Sequence, residues 1–436
     1  MTPTTTLDAH SVRRRYLALI GLRWLPTGLL IPIMVLLALS RGLSLTEIGI
    51  VFSLQGIVVL FLELPTGGLA DALGRRPTLL LASTVGLVSL GLLAIADTVV
   101  LFAAAAALQG VYRALDSGPL ESWFVDATLA ADPDAKIERG LSTGASVLSV
   151  AIAIGALLSG ALVAWHPVAS ISPLTLPLVA ALALGVVNLT AIALLMSEVR
   201  VARGMEAVAA SLRSVPTVIG DGIGILRGSR ILMALVAVEL FWGFSIVTYE
   251  SLFPIRLSEV VGSTDQAAAL MGPAASFAWF AAAAGAAGVM VVSRRIGVAR
   301  SAAVLRVVQG ATVIAMGLIA GPIGVVVAYL ACYLAHGASN PMHSTLLHRE
   351  VDGPRRTTLL SINSMVAQPA GAIGGIVLAG LADATSISLA MVVGGVICAV
   401  AAPLYIPAWR AERARRNGMA ADADSVDVER EEPLAA

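Results

Sequence analysis

Seven ionisable side chains interrupt otherwise apolar runs: Arg23, Glu63, Arg113, Asp116 and Glu121 in the first half of the chain, Glu239 and Glu250 in the second. A charge at mid-bilayer costs about 2.5–3.5 kcal/mol on insertion scales, so such residues pair, face a bundle interior or line a pathway. Two kinds of chemistry follow. An arginine or carboxylate on a pathway binds a solute of opposite charge. A carboxylate whose protonated form is favoured by burial, and opposed by a nearby arginine, exchanges protons. Glu63 and Glu121 are the candidates for that exchange; Arg306 and His336 are weaker members of the ionisable set.

The densest stretch runs from Gln109 to Trp123. At about 100° per residue Asp116 lies roughly 60° to one side of Arg113 and Glu121 roughly 80° to the other, so a continuous helix lets one arginine face both carboxylates. A neutralised structural triad and a coupling site are equal readings of that arrangement. Glu63 stands about two turns before Asp71, within reach of Arg23 or Arg113. Further on, Glu239, Trp242, Ile246 and Glu250 recur at spacings of three, four and four, which places two carboxylates on one helical face. The alternative for Glu250 is a pairing with Arg256 at the membrane interface. His343 and His348 lack carboxylates at ligand spacing, so they read as satisfied interfacial histidines and no metal site is indicated. Cys332 and Cys398 lie in apolar runs without a disulfide or metal pattern, and no cofactor is indicated.

The elements that must position these residues are membrane helices. Hydrophobic residues make up 58% of the chain and charged residues 13%, with mean hydropathy +0.89, which excludes a soluble domain. A span takes about 20 apolar residues. The apolar runs predict spans at 16–39, 46–66, 78–97, 99–122, 141–165 and 173–197, then at 231–255, 266–292, 301–319, 322–345, 357–382 and 385–408. The fold class is therefore all-α integral membrane, with twelve transmembrane helices in two six-helix pseudo-symmetric halves. Residues 1–197 form the first bundle, 198–230 a linker with an amphipathic helix, 231–410 the second bundle and 411–436 a disordered tail. With an even number of spans, 23 of the 28 basic residues fall on the side that holds both termini, and only Arg41 and Arg256 on the other. The positive-inside rule makes the first side cytoplasmic. Arg13-Arg14-Arg15 precede a first span too long for a signal peptide.

One charged hinge carries more information than any span. Between the second and third runs stands Gly67-Gly68-Leu69-Ala70-Asp71-Ala72-Leu73-Gly74-Arg75-Arg76-Pro77. Its Gly67, Asp71 and Gly74-Arg75-Arg76 resemble the signature of the major facilitator superfamily in the cytoplasmic loop between helices two and three, with Ala72 where a basic residue is usual. The resemblance implies that Asp71 contacts the start of the eleventh helix, near Thr357-Thr358, whose free amides receive an anion. Asp126 is the expected partner of Arg75 or Arg76. Gln109-Gly110 resembles the end of the superfamily's fourth-helix basic motif, but Ala106 stands where its arginine belongs, leaving Arg113 as a displaced substitute. The Gly-Pro pair that proton-coupled drug antiporters often carry on the fifth helix is missing. Ser293 to Arg300 looks like a decayed copy of the hinge, with its arginines and one glycine but no aspartate.

These observations point to a secondary transporter that moves a small solute by alternating access, with proton-coupled efflux as the first reading. Import or facilitation on the same fold, and a non-transporting membrane sensor or assembly protein, are the alternatives. No Walker-type loop, enzyme signature or channel filter is present, and zero net charge disfavours nucleic acid as a partner. The expected partners are a small-molecule substrate, protons and the lipid bilayer, for a monomer in the cell (inner) membrane. Arginine outnumbers lysine 27 to 1, which points to a bacterial source.

Overall fold

A computed structural model describes residues 8–197, 213, 217, 220, 223, 224, 226–351, 356–415 and 417. Among them are twelve helices long and apolar enough to cross a membrane. In chain order they are α1 (Ala9–Ser40), α2 (Leu45–Leu73), α3 (Arg75–Ile95), α4 (Val99–Ala131), α5 (Ile137–Trp165) and α6 (Thr175–Leu195). The second half supplies α7 (Arg230–Val261), α8 (Thr264–Ile296), α9 (Val298–Leu318), α10 (Pro322–Arg349), α11 (Arg356–Ala384) and α12 (Ile387–Arg415). The amphipathic helix expected in the linker lies largely outside the described residues. The disordered tail expected from 411 is corrected at its start, since residues 411–415 continue α12 and Arg415 pairs with Glu350; the rest lies largely outside the described residues.

Local chemistry sets the ends and breaks. Ser44 and Glu47 form a capping box at the start of α2, each side chain satisfying an amide that the helix leaves free. Thr98 separates α3 from α4 by accepting from the Leu101 amide. Several helices are interrupted: α1 has a turn between Leu30 and Met34, α12 passes through a 3-10 stretch at Ala402–Tyr405, and two further breaks bear on the site. In α4 a break at Ser117 and Gly118, the latter left-handed with φ 94°, is followed by Pro119, which opens a second segment running to Ala131. The sequence expectation of one helix ending near residue 122 is corrected accordingly. In α7 the residues Thr248–Leu252 form a π turn, followed by Phe253 and Pro254.

The halves repeat each other. In the first, α1 packs on α5 and α6, α2 on α4, and α3 on α4 and α6. In the second, α7 packs on α11 and α12, α8 on α10, and α9 on α10 and α12. Two seams, α2–α11 and α5–α8, join them. Both depend on small residues. A Cβ on Gly49 would stand 2.4 Å from the Gly375 carbonyl oxygen, and one on Gly272 would stand 2.7 Å from the Gly160 Cα.

The apolar core is layered. On the face away from the termini, residues of both halves form one cluster, including Leu36, Ile48, Phe102, Val163, Phe253, Met271, Val325 and Leu378. On the terminal face the core is split. Val12, Tyr16, Trp123 and Phe124 belong to a first-half cluster, and Leu235, Ala299, Met342 and Tyr405 to a second-half one. The helices thus converge at one membrane face and separate at the other.

Candidate functional site

In each half the first helix contributes an ionisable residue that meets a partner on the fourth. Arg23 of α1 forms an ion pair with Asp116 of α4. Glu239 of α7 lies with its Oε1 3.1 Å from His343 Nε2 of α10. Arg23 also lines a small cavity of about 40 Å³ with Gln109, Tyr112 and Asn188, room for a water or two.

The second-half pair belongs to a longer chain of polar groups. His343 Nε2 is also 3.3 Å from Asn363 Oδ1, and its Nδ1 is 3.0 Å from the Tyr405 hydroxyl. Arg306 of α9 lies 3.9 Å from the same Glu239 oxygen and donates to Gln309 at 3.0 Å. Gln309 leads to the Tyr249 hydroxyl at 3.5 Å, and Tyr249 to His336 Nδ1 at 3.4 Å. His336 is stacked on Trp242. Glu239, Arg306 and His343 are all buried. Two oxygens face Nε2, so that nitrogen holds a hydrogen. A hydroxyl faces Nδ1 and can turn either way, donating to a neutral imidazole or accepting from a protonated one. The network therefore tolerates either protonation state of His343 without losing a hydrogen bond.

Other ionisable residues of the set are not buried. Arg113, Glu121 and Glu250 are exposed, although each sits on a membrane helix. Glu250 lies in the π turn of α7, and Arg113 on the first segment of α4.

Several sequence expectations change. Arg113 does not hold Asp116, because the Ser117–Gly118 break interrupts the helical projection and Arg23 takes the carboxylate. Glu121, beyond that break, falls on a different segment. Glu63 is half-buried and makes no ion pair among the described residues. Glu239 and Glu250 do not share one lining face: Glu239 is buried in the bundle, while Glu250 is exposed. Arg256 pairs with Glu259 instead of Glu250. His343 is not an interfacial histidine, since it has a carboxylate partner 104 positions earlier in the chain, which spacing along a single helix cannot reveal.

The hinge has the expected local geometry. Arg75 forms an ion pair with Asp126, which lies inside the second segment of α4, and Arg76 donates to the Ala193 carbonyl at 2.6 Å. Gly67 lies within α2, whereas the side chains of Asp71, Thr357 and Thr358 lie outside the described residues, as does the contact expected between Asp71 and α11.

A family model described as Major Facilitator Superfamily matches residues 17–337. The chain belongs to the major facilitator superfamily. As a superfamily member it is a multi-pass membrane transporter of small molecules. Solved superfamily-like structures agree in fold. A nucleoside transporter, NupG, is 15% identical, with a TM-score of 0.74 over 91% of this chain and 98% of that one. A bacterial homologue of the human lysosomal transporter Spinster, inward-facing and unoccupied, is 14% identical, with a TM-score of 0.71 over 92% and 97%. A structure described for substrate recognition in proton-dependent oligopeptide transporters is 14% identical, with a TM-score of 0.69 over 93% and 100%. No curated protein matches by sequence. At these identities the superfamily structures speak for the fold alone.

Proposed function

We propose that this protein is a proton-coupled secondary transporter, an exporter of a small solute across the cell membrane, caught here open to the cytoplasm. The observation that carries the reading is the layered core. One apolar cluster seals the face away from the termini, the opposite face is split, and exposed Arg113, Glu121 and Glu250 lie on helices of both halves. Alternating access needs that asymmetry, and a pathway needs ionisable residues that are neither lipid-facing nor fully buried. The basic residues, concentrated on the split side, support a cytoplasmic assignment for it and for both termini.

Proton coupling rests on Glu239 and His343, whose hydroxyl partner Tyr405 suits either protonation state. Arg23, Glu63, Arg113, Asp116, Glu121, Glu239 and Glu250 are proposed as binding or coupling residues. Gly67, Asp71, Gly74, Arg75, Arg76 and Asp126 are proposed as the gating hinge. The test begins with a thermal-shift screen of purified protein, with nucleosides and short peptides in the first panel. A stabilising ligand is then followed in proteoliposomes under an imposed pH gradient. Export coupled to protons requires accumulation in inside-out vesicles acidified inside, and loss of the gradient dependence in Glu239→Gln and His343→Asn. Flux that ignores the gradient in the parent protein removes the coupling. Flux in the opposite sense makes the protein an importer.

A further inference from the structure

The sealed face carries a contact between the halves that the transport reading does not use. Asp383, near the end of α11, reaches across the seam to the first turn of α2. Its Oδ1 accepts from the Leu45 amide at 3.1 Å, and its Oδ2 accepts from the Thr46 amide at 2.7 Å and from the Thr46 hydroxyl at 2.5 Å. These amides belong to a helix start, where free N–H groups and the helix dipole both favour an anion. Just below, Ser53 donates to the Ala372 carbonyl at 2.8 Å, and Gly49 rides on Gly375. Deeper still the seam relaxes: a Cβ on Gly49 would meet α11 at 2.4 Å, and one on Gly56 only at 3.4 Å, from the Gln368 side chain.

The symmetry-related seam has no such clasp among the described residues. The start of α8 is capped by its own Ser263, and α5–α8 is held by Ser276 donating to the Ala153 carbonyl and by Gly160 against Gly272. The chain uses a carboxylate on a helix start elsewhere, since Glu412 accepts from the Val298 and Ala299 amides, but that contact joins two helices of one half. Asp383 is the carboxylate seen to cap a helix of the opposite half.

We infer that Asp383 and the α2 start form an outer latch, a single ionic clasp that holds the far face shut and must open in each cycle. It stands at the opposite membrane face from the Asp71 hinge. The inference rests on the alternating-access reading above.

The test uses full-length protein with one reporter cysteine, Ser53→Cys on the latched seam or Ser276→Cys on the other. Both positions are buried, as are the native Cys332 and Cys398. A membrane-impermeant maleimide is applied to intact cells and, separately, to inside-out vesicles. Removing three hydrogen bonds to a carboxylate in Asp383→Ala is expected to raise labelling at both reporters about tenfold. Asp383→Asn, which keeps the shape and loses the charge, is expected to give a smaller rise in the same direction. Asp383→Glu is expected to stay nearest the parent.

Labelling that stays within about twofold of the parent at both reporters, in variants that remain monodisperse, overturns the latch. So does a rise confined to Ser53→Cys, which means local fraying of α2 and no opening of the face. Reagent that enters from the vesicle side in place of the cell side refutes the membrane orientation proposed above and leaves the latch standing. Failure of the flux assay with a normal labelling response likewise strikes at transport and not at the latch.

Discussion

Arg41 and Arg256 do the same work in the two halves. Arg41, after α1, donates to the Leu93 and Ala96 carbonyls at 2.7 Å each and to Ala94 at 3.1 Å, closing the end of α3. Arg256, on α7, donates to the Ile319 carbonyl at 3.1 Å at the end of α9. They are the two basic residues found on the side poor in positive charge, and each donates to carbonyl oxygen at the end of a helix, where intrahelical donors run out.

Arg41→Ala is therefore expected to lower stability by about 1–3 kcal/mol, because three carbonyls lose a charged donor. Arg41→Lys is expected to recover only part of this, since one ammonium cannot span acceptors that the planar guanidinium fork reaches together. Arg256→Ala, with one carbonyl at stake, falls at the low end of that range. Thermal unfolding in detergent measures all three, and equal losses for Arg41→Ala and Arg41→Lys, or none, would contradict the account.

The two hinges share a backbone. Gly74 has φ 94° and ψ 158°, and Gly297 has φ 90° and ψ 159°, a region open essentially to glycine alone. Gly74→Ala and Gly297→Ala are each expected to cost about 1–3 kcal/mol. Gly91, helical and with open space around its Cα, is the control: Gly91→Ala is expected to be neutral or to stabilise by up to about 1 kcal/mol. A melting temperature unmoved by either hinge substitution would refute the strain argument.

Arg23 and Asp116 predict non-additive behaviour. Asp116 is almost fully buried and Arg23 is 16% exposed, so removing one partner strands a charge. Asp116→Asn or Arg23→Met alone is expected to cost about 3 kcal/mol, while Arg23→Met with Asp116→Leu together costs less than the sum. A double-mutant cycle on chemical unfolding reads the coupling directly, and additive losses would sink the pair as a buried unit.

The ion pair of Arg75 with Asp126 gives the opposite expectation. Asp126 is 61% exposed, so solvent screens the pair and Asp126→Asn is expected to change stability by less than about 1 kcal/mol. Any larger effect of that substitution belongs in the rate of conformational change, measured by cysteine accessibility at the terminal face, and not in the melting curve.

Much of the architecture was legible because hydropathy along a span is a local property. The twelve helices, the glycine hinge and its repeat at Gly297 were all readable from neighbouring residues. What escaped depended on breaks in helical phase or on distance along the chain. Gly118-Pro119 is a turn signal, yet reading through it put Asp116 beside Arg113 in place of Arg23. The Glu239–His343 pair joins residues on two different helices, and no periodicity within either one reports the other. A six-helix offset would have found it, since Arg23 and Asp116 already mark the first and fourth helices of the other half.

The π turn at Thr248–Leu252 has a consequence for chain length. Such a turn is the shape a helix takes when it accommodates one surplus residue without shifting the phase of the turns on either side. Losing a residue within 248–252 would let ordinary pitch run through from Val247 to Phe253. The same loss anywhere in 230–247 would rotate every later side chain by about 100° and unseat the packing on α11 and α12. α7 thus holds one position where natural variants can shorten and still fold, and the cost of shortening there is the direction in which Glu250 points.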